Sequence, residues 1–124
     1  MANQCKPKLD IDVSEGSTKI TCICEQPEEG SCKDDKGCVP HYNFDSAKYP
    51  NIDLSDAGTA GSKMQVIVKA TGGNTVEYSI EFYCSCGKHN SDTETASGHI
   101  KYVRPLWQDI LSFGITLLVD KIKR

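Results

Sequence analysis

The sequence predicts an α+β fold. It reads as an antiparallel β-sheet covered on one face, opened by an N-terminal hairpin and closed by a C-terminal amphipathic helix or helix pair. Three observations predict this. Residues 75–85, TVEYSIEFYCS, alternate apolar and polar without a break, as a strand with one buried face does. Residues 8–13 and 18–24 alternate in the same way on either side of a short turn, SEGS. After Pro105, apolar residues recur at helical rather than strand spacing.

Taken in order, KLDIDV (8–13) places Leu9, Ile11 and Val13 on one face and Asp10 and Asp12 on the other. TKITCIC (18–24) returns with Ile20, Cys22 and Cys24 sharing a face, so 8–24 reads as a hairpin. Residues 25–61 are rich in turn formers and charge and read as loop, with a short strand possible at HYNF. KMQVIVKA (63–70), TGGN and 75–85 read as a second hairpin, 63–85, with Met64, Val66 and Val68 facing inward beside Val76, Tyr78, Ile80, Phe82 and Cys84. A polar link over 86–98 leads to a helical stretch over 99–123. There Pro105 suits a first turn, Trp107 is the expected anchor and Gly114 divides the pattern.

The 124 residues suit one domain, and 38% hydrophobic with 25% charged residues is ordinary for a globular chain. A net charge of −3 lacks the basic excess usual in nucleic-acid binders. The longest apolar run, ITLLV (115–119), is too short to cross a bilayer, and MANQCKPK has no apolar h-region. The chain is thus expected to stay inside the cell that makes it, or to have had a signal replaced by Met.

Seven cysteines are many for a reducing compartment, and an odd number leaves one thiol unpaired or paired to another chain. Two Cys-x-Cys pairs, at 22/24 and 84/86, each put both sulfurs on one strand face. Three readings stay open. Cys22, Cys24, Cys84 and Cys86 form a tetrathiolate zinc set if the strands meet. Cys24, Cys32, Cys38 and Cys86 are disulfide candidates, strand to strand and Cys32 with Cys38 across KDDKG. Cys22 and Cys84 read first as small, core-facing residues. No catalytic set is evident. His41, His89 and His99 lie in or beside loop-like stretches, and no orienting acid or oxyanion hole accompanies Cys86 and His89. No cofactor is implied.

The segment order resembles the coat protein of single-stranded RNA bacteriophages. The resemblance is carried by SDTETASGHIKYVRPLWQDILSFGITLLVDKIKR (91–124), an acidic Ser/Thr-bearing link followed by an amphipathic helix, a small-residue break and a second helix. KMQVIVKA and TVEYSIEFYCS match the last two sheet strands, and 8–24 matches the N-terminal hairpin. The resemblance implies an interlocked homodimer that self-assembles into a capsid around single-stranded RNA, a virion built in the bacterial host cytoplasm. It also implies an RNA-facing sheet surface: Lys63, Gln65 and Lys69 on one strand, and Thr75, Glu77, Ser79, Glu81 and Tyr83 on the next. Lysines would take phosphates there, and Tyr83 would stack a base.

Two other classes explain parts of the sequence. A disulfide-stapled β-rich recognition module, secreted or displayed on a surface, accounts better for the cysteines. A small zinc-binding interaction module accounts for the two Cys-x-Cys pairs.

Overall fold

The structure, a computed structural model, describes residues 5–28, 30, 32 and 37–103. These residues form eight strands: β1 (Lys6–Ser14), β2 (Ser17–Glu25), β3 (Val39–Asn43), β4 (Ile52–Ala60), β5 (Lys63–Ala70), β6 (Thr75–Cys86), β7 (His89–Asn90) and β8 (Glu94–Lys101). One antiparallel sheet runs β1-β2-β5-β4. In the other, β6 is central, with β3 on one edge and β7 and β8 along the opposite edge.

The first hairpin forms where the alternation predicts it, with Lys6 opposite Glu25 and Ser14 opposite Ser17. Gly16 makes its turn possible: φ is +79°, and a Cβ there would lie 3.0 Å from Val103 Cγ2. The two sheets pack through their inner faces into one core. Ile20, Cys22, Met64, Val66 and Val68 come from the first sheet, and Tyr78, Ile80, Phe82, Ala96 and Ile100 from the second. Ile20, Val66, Val68 and Phe82 are completely buried, so this is a two-layer sandwich with one shared interior.

The predicted α+β architecture is therefore corrected: among the described residues the chain is all-β, with two sheets in place of one. The segment 63–85 is not a hairpin. β5 pairs with β2 and β4, whereas β6 pairs with β3, β7 and β8, so TGGN (71–74) carries the chain from one sheet to the other. Alternation shows that a strand has one buried face but not which strand lies beside it, and a sandwich core demands the same pattern as a hairpin. The stretch 25–61 holds β3 and β4, two edge strands with few buried residues. The polar link 86–98 holds β7 and most of β8, and 99–101, expected as helix, complete β8. Residues 104–124, with Pro105, Trp107 and Gly114, lie outside the described residues.

Chain order and pairing together match the constant-type immunoglobulin sandwich. There the first, second, fifth and fourth strands form one sheet and the third, sixth and seventh the other. Here β8 takes the seventh place. A bridge from the second strand to the sixth is a hallmark of that architecture in antibody domains. Cys24 of β2 is bonded to Cys84 of β6.

Candidate functional site

Strand periodicity aims Cys24 and Cys84 inward from opposite sheets, so their disulfide crosses the core with 5.8 Å between Cα atoms. Two further bridges lie at the same end of the sandwich. Cys5, just before β1, joins Cys38, just before β3. Cys32, in the β2–β3 connection, joins Cys86 at the end of β6. All six residues form one buried cluster, each no more than 5% exposed. The bridges fasten the start of β1, the end of β2, the start of β3 and the end of β6 to one another.

Cys22 keeps its thiol and is fully buried. Its sulfur lies within 4.8 Å of those of Cys24 and Cys84. Burial pushes this thiol from its ordinary 9.0 up to about 11, which leaves it protonated and unreactive near neutral pH.

All four disulfide candidates, Cys24, Cys32, Cys38 and Cys86, are bonded, but the expected Cys32–Cys38 pair is not formed. Those two residues instead join Cys86 and Cys5. Cys84, read first as a packing residue, is both buried and bridged. Cys22 is the packing residue it was expected to be. The zinc set does not assemble. Cys22, Cys24 and Cys84 converge, Cys86 groups instead with Cys5 and Cys32, and only Cys22 of the set retains a thiol. Cys5 escaped notice because it precedes the alternating run. The register offers a signal in hindsight, since Pro7 lies opposite Cys24 and brings Cys5 to the same strand end.

The structure also separates the eight residues expected on one RNA-facing surface. Lys63, Gln65 and Lys69 alternate with the buried Met64, Val66 and Val68, so they lie on the outer face of the first sheet. Thr75, Glu77, Ser79, Glu81 and Tyr83 alternate with Tyr78, Ile80, Phe82 and Cys84, so they lie on the outer face of the second. These faces point in opposite directions. On the first, Lys69 lies opposite Asp53, and Gln65 hydrogen-bonds Thr21 Oγ1 at 3.5 Å.

The outer face of the second sheet carries the denser set of recognition-capable groups. His41 stacks on its cross-strand partner Tyr83 with 4.9 Å between ring centroids, and its Nε2 lies 2.6 Å from Ser85 Oγ. Nearby, Phe44 and Tyr49 stack at 5.6 Å, and the Lys48 ammonium lies 5.7 Å from the Tyr49 ring. An open groove of about 540 Å³ runs between this aromatic pair and β6, lined also by Asn43, Asp45, Ser79 and Glu81. The groove thus offers aromatic faces, carboxylates and an amide, the mix that polar and aromatic ligand contacts need. His41 and Ser85 have the reach of a base and a nucleophile. Among the described residues, however, no carboxylate hydrogen-bonds the imidazole to orient it.

The chain matches no protein-family model and no curated protein. What the findings establish is a small β-rich module held by three disulfides.

Proposed function

We propose that this chain is a recognition module that works in an oxidising compartment, secreted or displayed on a surface. It would bind its partner with the outer face of the β3–β6–β8 sheet and the groove beside Tyr49. The observation that carries the reading is the cystine cluster: six of seven cysteines are paired and buried at one end of the sandwich. Disulfides persist in secreted and surface proteins and are rare in reducing compartments. Bridges at the strand ends hold the sheets rigid and spare the outer face from a structural duty. A rigid face costs little ordering entropy on binding. The half-buried His41 and Tyr83 are anchors of the kind that dominate interface energetics, and Phe44 and Tyr49, which also pack against the core, form the wall beside them.

The coat-subunit reading drew on β5 and β6 as neighbours in one sheet with a common polar face. Those strands lie in separate sheets, and the segment that chiefly carries the resemblance, 91–124, lies mostly outside the described residues.

The test is to pass the oxidised protein over intact cells in three forms. These are the native chain, Tyr83→Ala with Glu81→Lys on the second sheet, and Lys63→Glu with Lys69→Glu on the first. Binding lost only in the second-sheet variant supports the proposal. Binding lost only in the first-sheet variant, or release of nucleic acid with the purified protein, contradicts it.

A further inference from the structure

β1 is an edge strand: it pairs with β2 on one side and with no strand on the other among the described residues. An open edge of this length is a template for another strand unless something blunts it. The opposite edge of the same sheet carries a bulge between Asp56 and Gly58, whereas β1 carries charged side chains and Pro7, which discourage any strand that does not match its charge order. The register of β1 with β2 runs unbroken from Lys6 to Ser14.

The charge order along β1 is unusual. On its outer face stand Lys6, Lys8, Asp10 and Asp12, all exposed, two positive and then two negative. Within the chain Lys6 lies opposite Glu25 and Asp12 opposite Lys19, whereas the central Lys8 and Asp10 lie opposite the uncharged Ile23 and Thr21. The inner-face row is unfinished too. Ile11 and Val13 lie opposite the buried Ile20 and Thr18, yet are 44% and 72% exposed because no strand flanks them. A second β1 strand would answer the central charges and flank Ile11, while Val13 falls beyond the paired stretch.

We propose that two copies of this chain associate by antiparallel pairing of their β1 edges about a twofold axis through Leu9. In that register Lys8 of each copy lies opposite Asp10 of the other, and Lys6 opposite Asp12, giving four opposite-charge pairs across the seam. Leu9 meets Leu9, and Ile11 meets Pro7, which continues the apolar row across the junction. Neighbouring registers fail on charge. An axis through Pro7 sets Lys6 against Lys8 and one through Ile11 sets Asp10 against Asp12, while an axis through Lys8 or Asp10 sets that residue against itself and keeps only two opposite-charge pairs. The interface is isologous and closes at two copies. Pro7 has no N–H to contribute, so the ladder is short and the association depends on its charges.

Sedimentation velocity of the oxidised chain tests it, over a concentration series at low and high salt. The expected result is a dimer fraction that rises with concentration and falls as salt screens the pairs. Lys8→Asp alone and Asp10→Lys alone each yield monomer, and combining them in one chain restores the dimer, because the pair is then reversed rather than lost. These side chains are exposed, so the fold tolerates the changes. A monomer at every concentration in low salt overturns the proposal. So does a dimer indifferent to the single reversals, or an assembly larger than two chains.

Discussion

Tyr78 of β6 and Gly98 of β8 face each other directly, and the tyrosine ring lies over the space that the glycine leaves empty. A Cβ at position 98 would sit 3.4 Å from Tyr78 Cε1. The same exchange of large for small recurs at the next inward-facing pair, where Ile80 lies opposite Ala96. Cross-strand pairs of this kind are the unit of sheet packing. Gly98→Ala is therefore expected to change stability by less than about 0.5 kcal/mol, since the added methyl makes an ordinary contact. Gly98→Val pushes a branched side chain into the ring and is expected to cost about 1–3 kcal/mol. Urea unfolding of the two variants measures the difference.

Alkaline pH should loosen the fold through two buried groups. Burial raises the Cys22 thiol from 9.0 to about 11, and burial also raises Tyr78, against a smaller opposing hydrogen bond with Thr18. Both are acids whose folded forms hold their protons longer than the unfolded chain does. The stability Cys22 contributes is thus intact below pH 9 and is lost as pH rises from 9 to about 11, and that of Tyr78 is lost above its ordinary value of 10.0. Denaturant midpoints across that window are expected to fall, and Cys22→Ala is expected to flatten the early part of the decline.

Loss of the bridge between the sheets should be the costliest single change to the covalent frame. Cys24–Cys84 closes a loop of 60 residues, for which chain entropy alone implies about 4 kcal/mol. The double variant Cys24→Ala, Cys84→Ala is expected to lose about 2–5 kcal/mol by urea unfolding under oxidising conditions, the usual range for a native disulfide. A loss near zero would mean that the other two bridges already constrain the unfolded chain.

The stacked pair His41 and Tyr83 should matter little to the fold. Both are half-buried on an outer face, and a double-mutant cycle to alanine is expected to return a coupling of about 0.5–1.5 kcal/mol. Phe82→Ala, one residue away but completely buried, is expected to cost about 3–5 kcal/mol. Thermal or chemical unfolding of the set ranks the outer face against the core.

The strands with regular alternation, β1, β2, β5 and β6, were legible in the sequence, as was the inward aim of Val66, Ile80 and Phe82. Partner choice was not, because period two is identical for a hairpin and for facing sheets. β8 was hidden for a different reason. Its inward residues, Ala96 and Gly98, are small because Ile80 and Tyr78 fill the space opposite, so the segment reads as a polar link. Among the cysteines, composition pointed to bridges, while connectivity depended on which strand ends meet. That follows from the topology, which places Cys5 near Cys38 although 33 positions separate them. On the outer face of the second sheet, the β6 residues Ser79, Glu81 and Tyr83 were legible as one polar face, whereas the groove residues Asp45, Lys48 and Tyr49 come from a stretch that reads as loop.

The most direct test of this account is disulfide mapping of the chain made in an oxidising compartment, by mass spectrometry of a non-reduced digest. The account predicts Cys5–Cys38, Cys24–Cys84 and Cys32–Cys86, with Cys22 the one thiol alkylated and only after unfolding. A Cys32–Cys38 peptide, or a folded protein whose cysteines all alkylate freely, would contradict it.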